Sequence, residues 1–154
     1  MPPTRLVAAL LLGAAALAAG PARAESLYEV TKTEPKLVAG GTATATLTIK
    51  AKSGWHVNAE APITVALTPV AGLSVPKQKL SRADLAASTV DSARFDIPVS
   101  AAEPGKKSIN AEARFVICQE SACKPVKETL ALALDVAPPA ATAANTPTKK
   151  KKSH

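Results

Sequence analysis

The residues of this chain best suited to chemistry are two cysteines. Cys118 and Cys123 stand in a C-x4-C spacing within the stretch Arg114 to Val126 (RFVICQESACKPV). Paired thiols either exchange with disulfides or ligate a metal. A structural zinc takes four ligands, and the only histidines are His56 and His154. No metal and no other cofactor is therefore expected. The sequence carries no recognisable nucleophile–base–acid set, paired-carboxylate motif or phosphate-cradling loop. Trp55-His56 reads as packing at the start of a strand.

The cysteines flank a four-residue loop between two alternating runs, Ser108 to Ile117 and Val126 to Val136. A hairpin with Cys118 opposite Cys123 sets Phe115 against Val126, Ala111 against Leu130 and Ile109 against Leu132. The apolar faces of the two strands then coincide, which supports that register. Glu128 opposite Ala113 is the one misfit. Opposed residues lie about 4.5–5.5 Å apart at Cα, within reach of a disulfide. The same parity turns both cysteines to the face opposite the core stripe. The expectation is a hairpin disulfide near the outer face, at one end of the domain. By loop entropy, so short a ring stabilises by only about 2 kcal/mol. Accessible disulfides are often the labile ones, yet exported proteins commonly oxidise any close pair. Lys124 and Arg114 favour a thiolate and Glu120 opposes it. A structural clip and a redox group both stay open on these residues.

The elements that must position the pair read as strands. Thr42 to Ala51 (TATATLTIKA) places Ala43, Ala45, Leu47, Ile49 and Ala51 on one face. Ala93 to Val99 does the same with Phe95, Ile97 and Val99. Shorter candidates are Ser26 to Thr31, Trp55 to Val57, Ile63 to Thr68 and Leu73 to Val75. Turn signals separate them at Gly40-Gly41, Ser53-Gly54, Pro69 to Gly72 and Glu103-Pro104-Gly105. Lys77 to Ser88 lacks alternation and reads as a loop with a helical turn. No internal repeat is visible. The pattern predicts an all-β fold, an immunoglobulin-like antiparallel β-sandwich. With only one Trp, one Tyr and two Phe in 154 residues, its core must be mostly aliphatic.

The ends are expected to lie outside that domain. Arg5, the apolar run Leu6 to Ala19 and Ala22-Arg23-Ala24 fit a secretory signal, with the mature chain starting near Glu25. The run is shorter than the roughly 20 residues of a membrane span. Residues 1–24 are read as signal peptide, 25–137 as the domain and 138–154 as a disordered Pro/Ala/Thr/Lys-rich tail. The implied location is the periplasm. The formal charge is +7, from 19 Lys and Arg against 12 Asp and Glu. Arg5 and Arg23 leave with the signal and Lys149 to Lys152 lie in the tail. The domain keeps 13 basic and 12 acidic residues, a net +1, so no nucleic-acid partner is expected. The lysine tail suits an anionic envelope surface, and a monomer is expected.

Three motifs in order resemble a known family. These are Gly54-Trp55-His56-Val57-Asn58-Ala59, Phe95-Asp96-Ile97-Pro98-Val99, and Cys118 with Cys123 and Pro125. They resemble the N-terminal periplasmic domain of the thiol:disulfide interchange protein DsbD family, over nearly all of Glu25 to Val136. The resemblance implies an immunoglobulin-like fold whose disulfide accepts reducing equivalents from a thioredoxin-like electron donor domain. It passes them on to periplasmic disulfide-bearing proteins. Cys118 and Cys123 become the redox, and so catalytic, pair, with Cys123 forming the mixed disulfide. The family also carries membrane and thioredoxin domains that these residues do not include. Its cap loop often shields the disulfide with an aromatic residue, and the corresponding stretch, Pro76 to Ser92, contains none. Whether such a module counts as an enzyme stays open. The alternative is a non-enzymatic immunoglobulin-like binding or structural domain with a static disulfide.

Overall fold

Residues 26–140 are described by the computed structural model. The expected signal segment 1–24 and the lysines of the tail lie outside the described residues. Eleven strands follow in chain order: β1 (Tyr28–Thr33), β2 (Leu37–Val38), β3 (Thr42–Ala51), β4 (His56–Val57), β5 (Thr64–Pro69) and β6 (Leu73–Ser74). Then come β7 (Lys79–Ser81), β8 (Leu85–Ser88), β9 (Ser92–Ala101), β10 (Gly105–Gln119) and β11 (Ala122–Ala137). They form two sheets. One runs β1-β3-β9-β6, with β8 also on β9; the other runs β2-β11-β10-β5-β7, with β4 also on β10. Every pairing is antiparallel except β2 with β11. The chain is thus an all-β protein with an immunoglobulin-like antiparallel sandwich.

The alternation in the sequence is what closes the two sheets on each other. Ala45, Leu47 and Ile49 of β3 and Phe95, Ile97 and Val99 of β9 turn inward from one sheet. Ile109, Ala111, Ala113, Phe115 and Ile117 of β10 and Leu132, Leu134 and Val136 of β11 meet them from the other. Each is essentially inaccessible, as period-two strands packed face to face require. Threonines and charged residues of the same strands take the solvent side.

Three short strands escaped the sequence pattern. Leu37–Val38 forms β2 by parallel pairing with Val136 and Ala137, and two residues carry no readable period. The stretch Lys77 to Ser88 does hold the expected helical turn, a 3-10 turn at Arg82–Asp84. It is flanked, however, by β7 and β8, which pair with β5 and β9. Such edge strands are recruited by the backbone groups of their neighbours, so they need no alternation of their own. Only Leu80 and Leu85 turn inward. Asp84 organises the turn by accepting from the Ser81 N–H at 2.8 Å and from Lys77 Nζ at 2.7 Å. Those contacts, Lys77 first, hold its carboxyl below the ordinary range.

The side of the sandwich between β1 and β11 is closed by side chains. Tyr28 Oη donates to Glu128 Oε2 at 2.7 Å, Lys32 Nζ to the Ala131 carbonyl, and the Ala133 N–H donates to Glu34 Oε1 at 3.1 Å. Glu128, the misfit of the hairpin register, is therefore the acceptor of the only tyrosine. The Tyr28 ring meets Phe115 edge to face, with centroids 5.2 Å apart. Burial, reinforced by Glu128, pushes the Tyr28 phenol up to about 12. The neutral phenol's contribution to stability is then complete below pH 10. It is lost as pH rises from 10 to about 12. Ultraviolet titration of this one tyrosine is expected to give that midpoint. Glu128→Gln should lower it part of the way to 10, because burial, the larger cause, remains.

Candidate functional site

The hairpin of β10 and β11 has the register read from the sequence: Cys118 opposite Cys123, Phe115 opposite Val126, Ala111 opposite Leu130. Gln119 and Ala122 form the last pair, leaving Glu120-Ser121 as a two-residue turn. Among the described residues no non-glycine has positive φ, so this is not one of the primed turns that follow the twist of a hairpin. The Cys118–Cys123 disulfide joins the strands one step behind it, with Cα atoms 4.0 Å apart.

The two sulfurs sit in different surroundings. Cys123 is exposed, whereas Cys118 is 3% exposed. Parity does turn Cys118 away from the core, since its neighbour Ile117 lies in the main apolar cluster and Cys118 does not. The expectation that both cysteines are reachable holds for Cys123 alone. Cys118 is flanked within the sheet by β4, and Asn58, in the loop that follows β4, reaches its sulfur. His56 of β4 is the Cα partner of Cys118, and Val57 that of Ile117.

Backbone parity at Cys123 follows from the groups that Lys32 and Glu34 satisfy. The Ala131 carbonyl and Ala133 N–H point off the open edge of β11. Odd-numbered residues therefore face that edge, Cys123 among them. Pro125 shares the parity, so its missing N–H costs no ladder bond.

The segment beside Cys118 is held by local bonds. Gly54 has φ of +82°, a conformation that a side chain would strain, and the Trp55 N–H then donates to the Lys52 carbonyl at 2.9 Å. β4 is fixed on both flanks. Its Val57 N–H reaches the Val90 carbonyl at 3.0 Å, and the Asn58 N–H reaches the Val116 carbonyl at 2.9 Å. Asn58 Oδ1 accepts from the N–H groups of Glu60 and Ala61 at 2.8 and 3.1 Å, an Asx turn. Asn58 Nδ2 donates to Cys118 Sγ at 3.3 Å. Arg82 Nη2 donates to the Ala61 carbonyl at 2.7 Å and pins the far end of the loop. Next to Cys123, Lys124 Nζ lies 5.3 Å from the centroid of the Trp55 ring, a cation–π distance.

Residues 55–58 and the cysteine hairpin, 60 positions apart in sequence, thus form one cluster. The sequence placed Trp55 and His56 at a strand start and left the Asn58 side chain unread. An asparagine closing a short strand ahead of a loop was the available signal. A cleft of about 290 Å³ opens on the other side of Asn58, lined by Val57, Ile63, Arg82 and Leu85 among others. A larger, more polar groove of about 790 Å³ shares Trp55 with the cluster but is not lined by either cysteine. Among the described residues, no helix is long and apolar enough to cross a membrane.

No protein-family model matches the chain, and no curated protein matches it. Solved structures do. AggA, the major subunit of aggregative adherence fimbriae type I from Escherichia coli, is 13% identical over 71% of this chain and 93% of that one, with a TM-score of 0.40. A human ASH/PapD-like domain is 12% identical over 89% and 98%, with a TM-score of 0.42. A cohesin module of a Clostridium perfringens family 33 glycoside hydrolase is 13% identical over 73% and 96%, with a TM-score of 0.39. Likeness this distant carries nothing about ligand or partner.

Proposed function

We propose that the chain is an exported thiol–disulfide exchange module. It relays reducing equivalents through Cys118–Cys123 from a thioredoxin-like donor to periplasmic disulfide-bearing proteins. The observation that carries this reading is the asymmetry of the disulfide: Cys123 is exposed at a hairpin tip, and Cys118 is 3% exposed with its sulfur against Asn58. A donor thiolate attacks Cys123 Sγ, the Cys118–Cys123 bond breaks, and Cys118 leaves as a thiolate. The donor's second thiolate then attacks its own sulfur in the mixed disulfide and releases Cys123. Two electrons have moved, and the donor is left oxidised. The reduced pair repeats the steps in reverse on a substrate disulfide, Cys123 attacking and Cys118 resolving.

The burial of Cys118 also favours a second reading, a binding or structural domain in which the same disulfide is static. The reduction potential separates the two. Equilibration of the purified protein with a dithiol redox couple is expected to give a value above about −300 mV. Structural disulfides typically lie below that. A lower value would assign the disulfide to the static reading.

A further inference from the structure

We infer that Asn58 stabilises the Cys118 thiolate and so decides which sulfur of the pair leaves. The inference rests on the exchange reading and names the group that gives it direction. Asn58 Nδ2 lies 3.3 Å from Cys118 Sγ. The amide cannot be turned over without loss, because Oδ1 already accepts from two backbone N–H groups, those of Glu60 and Ala61. The backbone of Asn58 is itself bonded to Val116, in the strand that carries Cys118. The donor is therefore aimed at the sulfur from three anchored points.

A neutral disulfide sulfur is a weak acceptor. A thiolate accepts a charge-assisted bond, roughly twice as strong as a neutral one. The Asn58 contact accordingly strengthens as the disulfide opens. In that step a bond forms between the attacking sulfur and Cys123 Sγ. The Cys118–Cys123 bond breaks, and its electron pair goes to Cys118 Sγ, which later takes a proton from water. A leaving thiol of lower pKa leaves faster. The other titratable side chains nearby are His56 on β4, Glu120 in the turn and Lys124 on β11, and the test leaves all three in place.

The discriminating substitution is Asn58→Ser. Its hydroxyl accepts in the same turn, removes the amide N–H aimed at sulfur and brings no charge beside it. In a Cys123→Ala background Cys118 is the only thiol, and its ultraviolet thiolate absorbance titrates alone. Asn58→Ser is expected to raise that midpoint by about one pH unit or more, the worth of a hydrogen bond to a charged group. In the chain with both cysteines, it should slow reduction of the disulfide by dithiothreitol about tenfold. An unmoved midpoint and an unchanged rate, with the fold retained by circular dichroism, would overturn the inference. Should the serine variant not fold, Asn58→Thr gives the same two readouts, since its hydroxyl also accepts in the turn and is neutral. Neither readout needs a partner protein. A shifted midpoint without any trapped partner would count against the exchange reading and leave the role of Asn58 standing.

Discussion

A Cys118→Ala variant is expected to accumulate a mixed disulfide through Cys123 with a periplasmic protein, and Cys123→Ala is expected to accumulate none. The contrast follows from where the sulfurs lie. Cys123 is exposed, on the open edge of β11, and a partner thiolate or disulfide can approach it. Cys118 is 3% exposed, flanked by β4 and in contact with Asn58. In the intact chain any adduct on Cys123 has the Cys118 thiol beside it, with Cα atoms 4.0 Å apart in the oxidised state. A group so positioned acts at an effective concentration far above that of any free thiol. Its removal should lengthen the life of the adduct on the order of 10³-fold. Non-reducing electrophoresis of extracts, followed by mass spectrometry of the linked peptide, reads the result. Equal trapping by both variants would mean that the burial of Cys118 does not direct attack. Trapping by neither would remove the support for exchange.

Phe115→Ala should cost the domain about 3–5 kcal/mol, the range for a buried aromatic truncated in a core. Phe115 is 2% exposed in β10, within the cluster that joins the two sheets. It also supplies the face or edge that the Tyr28 ring meets at 88°. The change therefore opens a cavity in the main core and removes the wall that buries Tyr28. Urea unfolding should show the lower midpoint with an unchanged slope, and the Tyr28 titration should move down from about 12 at the same time. Val90→Ala is the control. Val90 is 73% exposed, and a change there should stay within about 0.5 kcal/mol. A Phe115→Ala loss as small as that of the control would contradict the packing of β1 over β10.

Most of the sandwich was legible because period two is a local property. Thr42 to Ala51 and Ser108 to Ile117 show their buried faces residue by residue, and both became strands with those faces inward. The hairpin register was legible too, since a slip of one residue would have turned Ile109, Ala111 and Phe115 out to solvent. β2, β7 and β8 were not legible. They are two to four residues long and exist because a neighbouring strand offers unpaired backbone groups.

The candidate site divides along the same line. By itself the sequence determined the two-layer fold, the pairing of Cys118 with Cys123 and the face to which that pair turns, all set by alternation and a short loop. Only the tertiary structure decided that the two cysteines differ in exposure. Cys118 is flanked and contacted by residues about 60 positions away, brought beside β10 by the pairing of β4 and held there by the Asx turn of Asn58. Such contact has no local signature. It depends on backbone groups of distant strands meeting at one edge, and that geometry exists only once the sheets have formed.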